Sequence, residues 1–139
     1  MGKEEVEKSE KELFVGLDVG SSFVHYVVLA ADREIAYSAK PIMHFANPIG
    51  AVKEAWRDIS KRFGANRITS TAFTGSGAES FPRVMRRVTY VFDSVAIPKG
   101  VEVVNPQARY IVHMGAKDSY FFHLEQINGR KVIQEWRTG

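Results

Sequence analysis

Residues Phe14–Ala30 read FVGLDVGSSFVHYVVLA, and the fold turns on how that stretch is read. Leu13 to Val19 is a nearly continuous apolar strand, of the kind buried on both faces. Gly20, Ser21 and Ser22 make a turn, and Phe23 to Ala31, rich in Val, Tyr and Phe, makes a second strand. Asp18 sits near the end of the first strand, where a carboxylate is costly to bury without a task. Two readings compete. One is a hairpin turn that Asp18 supports through local hydrogen bonds. The other is an anion nest, in which the turn's N–H groups and hydroxyls hold phosphate oxygens.

Outward from the hairpin, Asp32-Arg33 turns the chain and Glu34 to Met43 alternates as a third strand, with Ile35, Tyr37 and Ala39 on one side. Asn47 is a candidate N-cap and Pro48 a first helical residue. Val52, Ala55, Trp56, Ile59 and Phe63 then form an apolar stripe, and Gly64 stops the helix. Arg67 to Thr74 is a fourth strand, broken by Gly75-Ser76-Gly77. A short helix is expected over Glu79–Arg87, limited by Pro82, then a short strand over Val88–Phe92. Ser94–Val104 makes a poor helix because of Pro98 and Gly100. Strands over Arg109–Met114, Ser119–Ile127 and Arg130–Trp136 close the chain, the last two joined by the hairpin signal Asn128-Gly129. The order predicts an α/β fold with a mixed sheet flanked by helices. Trp56, Phe63 and Trp136 are assigned to the core. His25, His44 and His123 lack metal-ligand spacing and are assigned to structural or exposed positions.

The composition narrows the function. At 139 residues, 45% hydrophobic and 25% charged, the chain has the profile of one ordinary globular domain. It holds no cysteine, which excludes thiolate metal sites, iron–sulfur ligands and thiol nucleophiles within these residues. A net charge of +3 does not point to nucleic acid, and Arg83, Arg86 and Arg87 read as a solvated face. No apolar run approaches the ~20 residues of a membrane span. Residues 1–12 are charged and lack a signal peptide's apolar core, so a disordered or fraying lead-in and a cytoplasmic setting are expected. No GxxxxGKS or GxxxxGKT loop exists, no GxGxxG follows the first strand, and no Ser-His-Asp arrangement is legible.

The element order, opened by GLDVGSS, resembles the ribonuclease-H-like fold of the actin, sugar-kinase and heat-shock-chaperone ATPases. Phe73-Thr74-Gly75-Ser76-Gly77 is similar to a threonine-glycine-aromatic-glycine turn of one branch of that superfamily, and NPQARYIVHMGAKDS, Asn105–Ser119, resembles its later phosphate segment. That branch is the BadF/BadG/BcrA/BcrD ATPase family, the activators of 2-hydroxyacyl-CoA dehydratases with related benzoyl-CoA reductase subunits. The resemblance implies that 13–139 is the N-terminal ribonuclease-H-like lobe of an ATPase. It implies ATP or ADP with Mg²⁺ as ligand, with Asp18 facing the metal through water and Gly20, Ser21 and Ser22 on phosphate. It places Thr74 and Gly75 in the nucleotide cleft, and Gly115 and Asp118 in a second phosphate loop. It further implies a homodimer holding one 4Fe-4S cluster, not ligated by this chain, and electron transfer to a dehydratase or reductase partner.

The sequence departs from that pattern at His113, where an aspartate is expected, and at Gly115-Ala116, where two glycines are. An imidazole is a poor ligand for Mg²⁺, so weakened hydrolysis is expected. The family's cysteine-bearing loop would follow Gly139, so the chain is expected to be the first lobe of a longer protein that supplies a C-terminal lobe. Two other functions stay open. A ribonuclease-H-like nuclease or resolvase would need clustered carboxylates, and Glu79, Asp93, Glu102 and Asp118 look scattered. A non-catalytic regulatory lobe of the same fold would explain His113.

Overall fold

The computed structural model describes residues 12–79, 81–83, 85 and 87–139. All but the last residue of the expected lead-in lies outside them. The chain forms two compact units, one ending at Tyr90 and the other spanning Val91–Gly139. Among the described residues no helix is long and apolar enough to cross a membrane.

The first unit contains β1 (Leu13–Val19), β2 (Phe23–Ala30), β3 (Ile35–Ser38), β4 (Ile42–Met43), α1 (Pro48–Phe63), β5 (Ile68–Thr74) and β6 (Val88–Tyr90). They form a six-stranded mixed sheet in the order β3-β2-β1-β5-β6, with β4 also on β2. β1 is antiparallel to β2 and parallel to β5, which is parallel to β6. Contrary to the sequence reading, β1 is not buried on both faces. Leu13, Val15, Leu17 and Val19 are buried, while Phe14, Gly16 and Asp18 are only half-buried. The expected third strand is likewise two pieces, because Pro41 has no N–H to give a ladder.

α1 starts as its sequence dictates: the Asn47 side chain accepts from the Gly50 N–H at 2.9 Å, and Pro48 opens the first turn. Gly64, at φ 81°, ends it. Ala51, Val52, Ala55 and Ile59 bury against Leu17, Val19, Val24, Val28 and Phe73 in one core. Phe63 packs at its margin, while Trp56 is only half-buried. The polar edge of α1 is fixed as well. Tyr26 Oη donates to Asp58 Oδ2 at 2.8 Å, Arg62 Nε donates to Asp58 Oδ1 at 2.8 Å, and the Arg62 guanidinium lies 4.5 Å from the Tyr37 ring centre. Burial raises the Tyr26 phenol, and the hydrogen bond to Asp58 and that carboxylate's charge raise it further. Burial alone would raise Asp58, but hydrogen bonds from Tyr26, Arg62 and Tyr37 outweigh it and lower the carboxyl.

After β5 the chain turns sharply. Gly75 has φ +92°, and a Cβ there would lie 2.5 Å from both Asp18 Oδ1 and the Val19 carbonyl. The Gly77 N–H donates to Val19 O at 2.9 Å, and Ala78 N–H to Gly75 O at 3.0 Å. Among the described residues of the short helix expected beyond it, Phe81–Arg83 form a 3-10 turn, whose Phe81 stacks on Phe73 at 4.9 Å. Ser80, Val84 and Arg86 lie outside the described residues.

The second unit contains α2 (Asp93–Val104) and a separate antiparallel sheet of β7 (Tyr110–Met114), β8 (Ser119–Ile127) and β9 (Arg130–Thr138). α2 forms despite Pro98 and Gly100, with Ile97 and Val101 packed on Ile111, Phe122 and Leu124. Asn128 and Gly129, at φ 52° and 77°, make the expected tight hairpin. Trp136 is no core residue: it lies on the outer strand β9 and is 54% exposed.

Two outcomes follow from the first unit. Gly75→Ala forces a side chain against backbone at a left-handed φ, and should destabilise the protein by about 1–3 kcal/mol in urea unfolding. An unchanged midpoint would contradict the close approach. Asp58 titrates lower in the folded than in the unfolded chain, so its contribution is complete above about pH 4 and lost as pH falls through the folded value. The acid limb of the stability curve should therefore be shallower in Asp58→Asn than in the wild type.

Candidate functional site

The antiparallel register sets Asp18 opposite His25, and the parallel register sets it opposite Thr74, so the three side chains share one row on the half-buried face. This row lies at the carboxyl ends of β1 and β5, where open α/β sheets place their ligands. Asp18 Oδ2 is 3.8 Å from His25 Nδ1, and 42% of the Asp18 side chain is exposed. The carboxylate is thus accessible, and the cost of full burial that the apolar run suggests does not arise. Gly75 backs it closely enough to exclude any side chain, so Asp18, Thr74 and Gly75 come together as one cradle.

The hairpin beyond Asp18 is anchored at its base by Val19 and Val24, both fully buried. The Gly20 N–H donates to Phe23 O at 2.9 Å. Ser21 is exposed and Ser22 half-buried at the tip. The carbonyls are held from below by a residue that the sequence reading treats as structural or exposed. His44 donates its backbone N–H to Ser22 O at 3.1 Å, and its Nε2 is 3.1 Å from Gly20 O. A lone histidine after a two-residue strand leaves no sequence signal for this role.

In the second unit Gly115 and Asp118 close the β7–β8 hairpin, with the Gly115 N–H donating to Asp118 O at 2.9 Å. A Cβ on Gly115 would lie 2.7 Å from that oxygen. His113 pairs with Tyr120 in the ladder, and their rings meet at 5.9 Å. The Tyr120 phenol is raised by burial first, then by the charges of Asp93 and Asp118 and a hydrogen bond with Asp93. Asp93, in the first turn of α2, thus acts on the same phenol as Asp118. In the sequence a helix and a strand separate these two carboxylates, so no spacing pairs them. Glu102 instead pairs with Lys99 at 2.9 Å. Among the described residues no three His, Asp or Glu side chains group closely enough to hold a metal ion.

No family model and no curated protein matches the sequence. Solved structures do match in fold. The activator of 2-hydroxyisocaproyl-CoA dehydratase from Clostridium difficile, solved with bound ADPNP, shares 20% identity at a TM-score of 0.71, covering 91% of this chain and 45% of that one. Component A of (R)-2-hydroxyglutaryl-CoA dehydratase from Acidaminococcus fermentans shares 18% identity at a TM-score of 0.73, covering 92% of this chain and 47% of that one. An exopolyphosphatase from Cytophaga hutchinsonii shares 12% identity at a TM-score of 0.60, covering 92% and 50%. The chain spans about half the length of these proteins. It has the mixed α/β fold that these structures share, the dehydratase activator and the dehydratase component A among them.

Proposed function

We propose that this chain is the phosphate-binding part of an ATPase that activates a CoA-ester dehydratase or reductase by ATP-driven electron transfer. The observation that carries the reading is the Asp18–Gly75 cradle at the ends of two parallel strands, beside the Gly20–Ser22 hairpin. The fold shared with a dehydratase activator solved with ADPNP, and with a dehydratase component A, supports it.

In this reading the hydroxyls of Ser21 and Ser22 and the amides of their turn donate to phosphate oxygens. Asp18, accessible and outside any cluster of three metal-ligating side chains among the described residues, suits a metal held mainly by phosphate and water. Bound Mg²⁺ would neutralise charge on the transferring phosphoryl group. Thr74 and Gly75 wall the site beside Asp18, and Gly115 with Asp118 forms a second phosphate hairpin. The chain has no cysteine and supplies no thiolate to a 4Fe-4S cluster. Such a cluster, a homodimer around it and a dehydratase partner belong to the same proposal, as does a C-terminal lobe completing the protein.

His113 favours a second reading, a lobe that binds nucleotide with little or no hydrolysis. Its ring lies against Tyr120 and offers no carboxylate where the activator pattern has one. Calorimetry with Mg·ADPNP and a phosphate-release assay separate the two: binding with turnover supports the ATPase, binding without it the degenerate lobe. In the full-length protein, Asp18→Ala should lower ATP turnover by about 100-fold or more without moving the melting temperature. Unchanged turnover would remove Asp18 from the site.

A further inference from the structure

We propose that His44 is a positioning residue that aims the Gly20–Ser22 hairpin at its anion; this rests on the phosphate reading of that hairpin. His44 is 8% exposed and follows directly on β4. Three of its polar groups are engaged. Its N–H donates to Ser22 O at 3.1 Å, its carbonyl accepts from Asn47 N–H at 2.7 Å, and its Nε2 meets Gly20 O at 3.1 Å. One residue thus ties the hairpin to the N-cap of α1.

The Gly20 carbonyl only accepts, so Nε2 carries the proton and the ring is the Nε2–H tautomer. Nδ1 is then a bare acceptor, buried and without a hydrogen-bond partner. That is a cost which leucine, filling similar space, would avoid. What histidine adds is the N–H on Gly20 O. The bond matters because the peptide is planar and trans, with C=O and N–H pointing opposite ways. Holding Gly20 O against His44 turns the Ser21 N–H away from the core, and holding Ser22 O does the same for the Phe23 N–H. In a closed turn Gly20 O would accept from Phe23 N–H; here that oxygen goes to His44. Phe45 and Ala46, next in the chain, both adopt positive φ, 45° and 64°, an arrangement disfavoured for side chains with a Cβ. The strained turn is what delivers His44 under the hairpin.

The test compares His44→Leu, which keeps bulk and removes the donor, with His44→Gln, whose amide nitrogen can replace Nε2–H. In the nucleotide-free protein, amide hydrogen exchange at Gly20, whose N–H is bonded to Phe23 O across the same turn, should quicken in H44L and stay near wild type in H44Q. Mg·ADPNP affinity by calorimetry should fall about ten- to a hundredfold in H44L and recover in H44Q, at similar melting temperatures. H44L matching the wild type in both measurements, or H44Q being as weak as H44L, overturns the proposal. If H44L does not fold, His44→Asn, too short to reach Gly20 O, provides the same contrast. Wild-type protein that binds no Mg·ADPNP overturns the phosphate reading, and Gly20 exchange then decides alone whether His44 holds the turn.

Discussion

The parallel pairing of β1 with β5 is the constraint on which the first unit depends. Leu13, Val15, Leu17 and Val19 must face α1, because they, with Val24, Val28 and Phe73, are the core. A slip of one residue would send that whole set to the other side. With the odd residues fixed inward, Asp18 has to lie on the opposite face. With Asp18 paired to Thr74, Gly75 has to arrive beside the carboxylate. The site is therefore a by-product of core alternation and register, and needs no separate device to bring its parts together.

The legible parts of the chain were those governed by local chemistry. Asn47-Pro48 fixed the start of α1, Gly64 its end, and Asn128-Gly129 the last hairpin, because capping and left-handed turns are decided within a few residues. The hairpin at Gly20–Ser22 and the glycine break at Gly75 were legible for the same reason. What sequence could not show was decided between strands. β1 looks apolar throughout because Phe14 and Gly16 mask an alternation that only the buried partners reveal. Trp136 looks like core by its type, yet an outer strand gives it nothing to cover both faces. His44 and Asp93 gain their partners from distant segments, Gly20 and Tyr120, so no spacing in the chain marks them.

The two hairpins share a construction rule that sequence motifs obscure. In each, a glycine N–H donates to the carbonyl three residues on, Gly20 to Phe23 and Gly115 to Asp118, both at 2.9 Å. In each, a Cβ on that glycine would crowd the accepting oxygen, at 3.3 Å and 2.7 Å. They differ in where the carboxylate lies. In the first, Asp18 precedes the turn on a strand, half-exposed beside Gly75, at a position fixed by the ladder. In the second, Asp118 is part of the turn itself, and its carbonyl is what closes it.

That difference bears on chemistry. A carboxylate on a strand flanked by two partners is held before any ligand arrives, and preorganised charge is what stabilises a phosphoryl group in transfer. A carboxylate in a turn moves with the turn. The second hairpin's strand position, where a fixed acid would stand, holds His113, whose ring is engaged with Tyr120. Among these residues the rigid acid is Asp18, and the charge of Asp118 reaches Tyr120 together with that of Asp93. The chain thus carries two hairpins closed alike by a glycine N–H, with a ladder-held carboxylate two residues before the first glycine and a histidine two residues before the second. On the proposed reading, nucleotide binding draws on the hairpin N–H groups, while hydrolysis draws on a second fixed charge that His113 does not supply.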